Sequence, residues 1–384
     1  AALWIGILGN LLLLAYYKYF FPVLNFLADA QLIAPPWISD VVLPLGISFF
    51  TFTQIGYLLD SYDGRAKERG LVSYMLFVTI FPHVIAGPIL HNREILPQIS
   101  DPEVKRFKPG NLAVGLSYFI MGMSKKVLIA DPLGLVADRG FANVGGLATG
   151  EAWIAALTYS LQLYFDFSGY SDMAIGLARM FGVIFPVNFN SPYKALSIID
   201  FWARWHMTLT RYLTLYLYNP LAMYANRRRV ARGLKTSRKA TRNLPAFVSL
   251  IVIPTVYTMG LAGIWHGAGL QFLVFGLLHA LYLSVNHAWR IFGPQEVKPA
   301  IWHSALALLL TYSCVLVGQI FFRAESVGDA MTLLNAMLGE GAVQGTNALQ
   351  AGNTTLIRIC SGFAICLLLP NTQQILKNFN PIIE

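Results

Sequence analysis

Residues 41–59, 244–265 and 301–322 are each long enough to cross a bilayer, and none contains an Asp, Glu, Lys or Arg. A fourth stretch, residues 3–21, is interrupted only by Lys18. An α-helix of about 20 residues spans the hydrocarbon layer. Only helices and closed barrels can satisfy their own backbone there. Composition points the same way: 56% of the 384 residues are hydrophobic and 12% are charged, where an ordinary soluble domain carries about 25% charged residues. Mean hydropathy is +0.55. Such a chain cannot cover a water-facing surface with polar groups, so lipid is its main solvent. The expected fold class is an all-α integral membrane protein, a polytopic helical bundle with one domain over residues 1–384. The chain begins at Ala1 rather than Met, which leaves room for further N-terminal residues.

Other apolar segments are interrupted. Residues 71–90 carry Pro82, His83 and Gly87, residues 111–130 carry Lys125 and Lys126, residues 268–286 contain His279, and residues 355–370 contain Arg358. Residues 152–165 are short and run into Asp166 and Asp172. Counted with the uninterrupted stretches they make about ten membrane segments. Segments broken by Pro, Gly and charge are tolerated where they face protein or a water-filled cavity, so an internal polar cavity is expected. Residues 200–223, rich in Trp and Tyr with Arg204 and Arg211, read as an interfacial stretch.

The net charge of +9 is concentrated. Residues 226–243 hold eight Lys and Arg and no acid, which reads as a basic cytoplasmic loop obeying the positive-inside rule and able to meet anionic headgroups or phosphates. No nucleic-acid partner is expected. Cys314, Cys360 and Cys366 lie in apolar stretches without metal-ligand spacing, so they read as packing residues and no metal is expected.

Ionisable groups inside a membrane are costly and need a partner or a task. If residues 200–206 are helical, Asp200 and Arg204 pair at i, i+4, and His206 shares edges with Trp202 and Thr210. His206 then sits beside Trp205 among aromatics, either bonded to a backbone carbonyl or active. His266 follows Trp265 at the end of an uncharged span rich in glycine, where it is either a helix-packing residue or a neutral general base. Asp166 and Asp172 could line a polar pocket or hold a broken-helix turn together. His279, His287, His303 and His91 have weaker surroundings and read as structural or loop residues. There is no P-loop, no G-x-S-x-G elbow and no H-E-x-x-H.

Several segments together resemble the membrane-bound O-acyltransferase family. They begin at Leu43 (LPLGISFFTF), Phe81 (FPHVIAGPI), Leu96 (LPQ), Asp166 (DFSGYSDMAIG), Asp200 (DFWARWHMTL), Gly263 (GIWHGA) and Phe321 (FFRA). They fall in the family's order over about 280 residues, closest to the bacterial branch that includes alginate O-acetylation and D-alanyl transfer to teichoic acid. Where relatives continue with an Arg-Asp pair, this chain has Thr214 and Leu215. The resemblance implies a bundle around a central tunnel, with an acyl donor entering from the cytosol and an acceptor meeting it outside. It implies that His266 and His206 are catalytic. Trp205, Trp265, Asp200, Arg204, Asp166, Asp172 and Thr210 become candidate substrate-binding or tunnel residues. No bound cofactor is implied. The donor substrate would be acetyl-CoA or an acyl carrier protein thioester, and the acceptor a polysaccharide or a periplasmic acetyltransferase. The location would be a bacterial inner membrane. A transporter of a lipid-linked or acyl substrate, a scaffold for a periplasmic complex, and D-alanyl transfer to teichoic acid are the competing readings.

Overall fold

The computed structural model describes residues 1–34, 41–66, 70–83, 87–236, 242–293, 301–342, 349 and 352–379. Among the described residues every regular element is a helix. Five helices are long and apolar enough to cross a membrane: Ala2–Asp29, Pro109–Ala142, Leu244–His266, Leu270–Phe292 and Trp302–Arg323. Their outer faces are apolar, with Trp4, Leu12, Phe26, Leu128, Leu281 and Leu310 all more than half exposed. Such faces suit lipid and not water. The chain is a multi-pass membrane protein.

Among the described residues five helices meet both criteria, and other apolar stretches form shorter helices. The stretch at 41–59 becomes helical only from Ile47, in the 16-residue helix Ile47–Tyr62. Residues 71–90 yield the nine-residue helix Leu71–Thr79, which ends at an extended Ile80 ahead of Pro82. Asn353–Leu368 is a 16-residue helix. Asp166 and Asp172 do not mark a break: both lie within one continuous 32-residue helix, Thr149–Met180. The basic segment is only partly a loop. Arg227, Arg228 and Arg229 sit on the helix Asn219–Ala231, where Arg229 donates from Nη1 to the Ser249 hydroxyl at 3.5 Å. Arg238 and Lys239 lie outside the described residues.

The chain divides into two compact units. The first comprises Ala1–Met121 and Tyr170–Val187 with the chain's end. In it Ala2–Ala15 packs along Ile47–Tyr62, and Phe77, Ile95, Leu96, Ile175 and Phe185 form a small core. Gln98 clamps the segment after Met180: its Nε2 donates to the Ile184 carbonyl at 3.1 Å, and its Oε1 accepts from the Ile184 N–H at 2.8 Å.

The second unit comprises Gly122–Gly169 and Asn188–Lys377. Its centre is an antiparallel pair, Leu244–His266 and Leu270–Phe292, joined by three residues. Between apolar helices in lipid, association comes from close packing, which small residues permit. A Cβ on Gly276 would lie 2.3 Å from the Met259 carbonyl oxygen, and one on Gly263 would lie 2.3 Å from that of Phe272. This approach puts His266, the last residue of the first helix, beside Phe275 of the second, with ring centres 5.9 Å apart. Gly276→Ala is therefore expected to destabilise by about 1–3 kcal/mol, the usual cost of overpacking. Gly260→Ala, whose Cβ would meet nothing nearer than 3.9 Å, should be close to neutral. Thermal unfolding in detergent micelles checks the contrast.

Candidate active site

His206 is positioned by a residue 18 places earlier in the chain. The segment 200–206 does not form one continuous helix. Ile198–Trp202 is helical, one further turn closes through the Trp205 N–H to the Phe201 carbonyl at 2.8 Å, and the chain then breaks. His206 takes a left-handed conformation, φ 42°, and serves as the N-cap of the helix Met207–Leu213. A non-glycine residue there costs on the order of 1–2 kcal/mol. Hydrogen bonds to the segment starting at Asn188 hold it. The Met207 N–H donates to the Asn188 carbonyl at 2.9 Å, and the Asn190 N–H donates to the Arg204 carbonyl at 2.9 Å.

The Asn188 side chain also selects the tautomer of His206. Its Oδ1 accepts from the Thr208 hydroxyl at 2.8 Å and from the Thr208 N–H at 3.4 Å. A backbone N–H can only donate, so the atom facing it is the amide oxygen. His206 Nδ1 lies 2.9 Å from the same oxygen and must carry its proton there. Nε2 is then the lone-pair nitrogen. The ring is 3% exposed and wedged against Phe167, edge to face at 4.8 Å. Burial first, and the neighbouring His266 second, push its pKa down to about 3. A charged imidazole would be poorly solvated here, so His206 is neutral at physiological pH.

His206 and His266 line one narrow cavity of about 60 Å³, with Trp205 in its wall. The other rings around it include Phe167, Phe201, Trp202, Phe275 and Phe322. His266 packs edge to face on Trp265 at 4.8 Å and on Phe322 at 4.9 Å. A third imidazole, His279, completes the lining. It is 1% exposed, and its Nδ1 accepts the Trp202 indole N–H at 3.2 Å, so its proton is on Nε2. Gly318 makes room for it, since a Cβ there would lie 2.6 Å from that nitrogen. Sequence reading left His279 as structural because its partner, Trp202, is 77 residues away. In the sequence it shows only as one of two histidines, with His287, in a mostly apolar helix.

The remaining candidates are dispersed. Asp200 and Arg204 form the expected i, i+4 ion pair at 2.8 Å, part-exposed and outside the lining of the histidine cavity. Arg204 also reaches the Asn190 carbonyl at 3.4 Å, so the pair braces the turn that ends at His206. Thr210 donates to the Trp202 carbonyl at 3.2 Å and lines a second, larger cavity of about 370 Å³. Asp166 pairs with Lys126 at 2.8 Å, a lysine that also meets Asp131 at 2.6 Å. Asp172 is 4% exposed and belongs to the first unit. Chemically, the cavity offers imidazole bases in a dry, aromatic-walled space, where a neutral base can take a proton from a hydroxyl.

The sequence profile of the membrane-bound O-acyltransferase family matches residues 58–236, a range that includes His206 and stops short of His266. The chain belongs to the membrane-bound O-acyltransferase family. It is 40% identical over 377 residues to the peptidoglycan O-acetyltransferase of Helicobacter pylori, covering 89% of this chain and 66% of that protein. It is 39% identical over 342 residues to the probable alginate O-acetylase AlgI of Azotobacter vinelandii, covering 88% and 62%. Against the teichoic acid D-alanyltransferase of Streptococcus thermophilus it is 25% identical over 293 residues, covering 72% and 68%. The chain thus spans a little under two thirds of the length of the first two relatives.

Removing the Asn188 oxygen should release both the turn and the tautomer. Asn188→Ala is expected to cost about 1–3 kcal/mol, the range for a buried partner left unmade. In the unsubstituted protein the ¹⁵N spectrum of His206 should show a protonated Nδ1 and no titration between pH 5 and 8. In the variant the tautomer population should become mixed.

Proposed function

We propose that this protein is a membrane O-acyltransferase that moves an acetyl group from a thioester donor on the cytosolic side to a hydroxyl on the outer side. The observation that carries the reading is one aromatic-walled cavity lined by both His206 and His266, in a chain whose relatives bear O-acetyltransferase names at about 40% identity. The donor is acetyl-CoA or an acyl carrier protein thioester. The acceptor hydroxyl belongs to an exported polysaccharide or to a periplasmic acetyltransferase that completes the modification. D-alanyl transfer to teichoic acid is the variant suggested by the more distant relatives. We place the protein in a bacterial inner membrane, with about ten segments around a passage that reaches the histidines from both sides. Arg227, Arg228 and Arg229 on Asn219–Ala231 mark the cytosolic end by the positive-inside rule.

In this mechanism His266 takes the proton of the attacking hydroxyl as its oxygen adds to the thioester carbonyl carbon. The tetrahedral adduct collapses, the C–S bond breaks, and the leaving thiolate recovers the proton from the imidazolium. His206 contributes as an acceptor. With Nδ1–H bound to Asn188, its Nε2 lone pair can orient a substrate hydroxyl, whereas an oxyanion would need a donor. The walls exclude water, which would otherwise hydrolyse the thioester.

Positioned general bases contribute about 10²–10⁴ in rate. His266→Ala is expected to lower acetyl transfer in proteoliposomes by that factor while the protein still inserts and folds. His206→Ala should fall less and raise the acceptor KM. Wild-type transfer in His266→Ala would end the assignment, and movement of cargo without thioester cleavage would favour a transporter.

A further inference from the structure

The histidine cavity contains one more polar group with no role in the chemistry described above. Gln319 lines it and is 4% exposed. Its amide orientation is set by a network on its far side. The Tyr193 hydroxyl has one proton, which goes to the Ser160 carbonyl at 2.7 Å. Toward Gln319, 3.0 Å away, the phenol oxygen can therefore only accept, so the facing Gln319 atom is the amide nitrogen. The Ser160 hydroxyl, 2.9 Å from the phenol and itself receiving from the Tyr312 hydroxyl at 2.9 Å, fills the remaining position. Gln319 Oε1 is buried and has no hydrogen-bond partner among the described residues.

Leaving such an acceptor unmade is unfavourable, and a ligand that donates a hydrogen removes the penalty. The acetyl thioester group offers only acceptors, its carbonyl oxygen and its sulfur. The first donor along a cysteamine-type arm is the amide N–H two carbons beyond the sulfur. A cavity of about 60 Å³ leaves room beside the reacting hydroxyl for a slim chain rather than for a second sugar ring, which favours the arm as the donor to Gln319. Trp202 lines both this cavity and the 370 Å³ one, so the wider space adjoins the narrow one at that indole. In that larger cavity Thr258 Oγ1, on a residue 5% exposed, is a second buried polar atom without a partner among the described residues.

We infer that the two adjoining cavities form the site for the amide-bearing thiol arm of the donor, with Gln319 Oε1 accepting the amide N–H nearest the thioester. This rests on the acyl-transfer reading and adds its donor specificity. The arm is common to acetyl-CoA and to acetylated carrier proteins, so Gln319 recognises either source.

The test pairs a substrate change with a residue change. S-acetyl-N-acetylcysteamine and its ester analogue, with oxygen in place of the amide N–H, are compared as donors in proteoliposomes. The unsubstituted protein is expected to prefer the amide by about tenfold in kcat/KM, the scale of one hydrogen bond to a buried acceptor. Gln319→Met should bring the preference within twofold. Because the ratio is taken within one protein, partial misfolding cancels. An undiminished preference in Gln319→Met, or an effect on the acceptor KM alone, overturns the inference. Acetyl-CoA and an acetylated carrier protein should lose efficiency by the same factor in Gln319→Met, and a loss confined to one of them also overturns it. Failure of the acyl-transfer reading would look different: His266→Ala would leave turnover of every donor unchanged.

Discussion

A single amide oxygen organises the candidate site. Asn188 Oδ1 receives hydrogens from the Thr208 hydroxyl, the Thr208 backbone and His206 Nδ1, all away from water. In a medium that cannot supply hydrogen bonds, a buried polar group is tolerated only when the protein pairs it. Satisfying Asn188 therefore ends the helix at Trp202, holds His206 in its left-handed conformation and decides which ring nitrogen keeps a lone pair. Local geometry and tautomer follow from one contact.

The second half of the site depends on how closely two apolar helices approach. Gly263 and Gly276 let Leu244–His266 and Leu270–Phe292 meet with backbone near backbone. That contact brings His266 to the cavity that His206 enters from another part of the chain. Close packing is the main source of helix association once lipid has replaced water, so the same glycines serve stability and site assembly. Trp202 adds a further tie: it hydrogen-bonds His279 and lines both the narrow space and the wider one.

Much of this was legible in the residues, and the exceptions share a cause. Membrane residence follows from uncharged stretches. The Asp200–Arg204 pair follows from i, i+4 spacing. The two central histidines stand out through the family resemblance. What could not be read depends on partners distant in sequence: Asn188 for the break at His206, Trp202 for His279, and Tyr193, 126 residues away, for the orientation of Gln319. Asp166 reads from the sequence as part of a polar pocket wall or as holding a broken-helix turn together, because a carboxylate in apolar sequence is costly. It sits in an unbroken helix because Lys126, from Pro109–Ala142, pairs with it. Several of the apolar stretches counted among the ten segments form helices of 9–16 residues, whose lengths depend on the prolines, glycines and packing at their ends.

In the proposed reaction a thioester and a hydroxyl meet between His206 and His266. The most direct measurement is a structure of the protein in a bilayer mimic with a non-cleavable acetyl-CoA analogue in which a methylene separates sulfur from the acetyl carbonyl. The carbonyl carbon is expected inside the cavity, with both imidazoles lining the space around it. An analogue whose carbonyl lies elsewhere, with that cavity holding only water or closed, would contradict it.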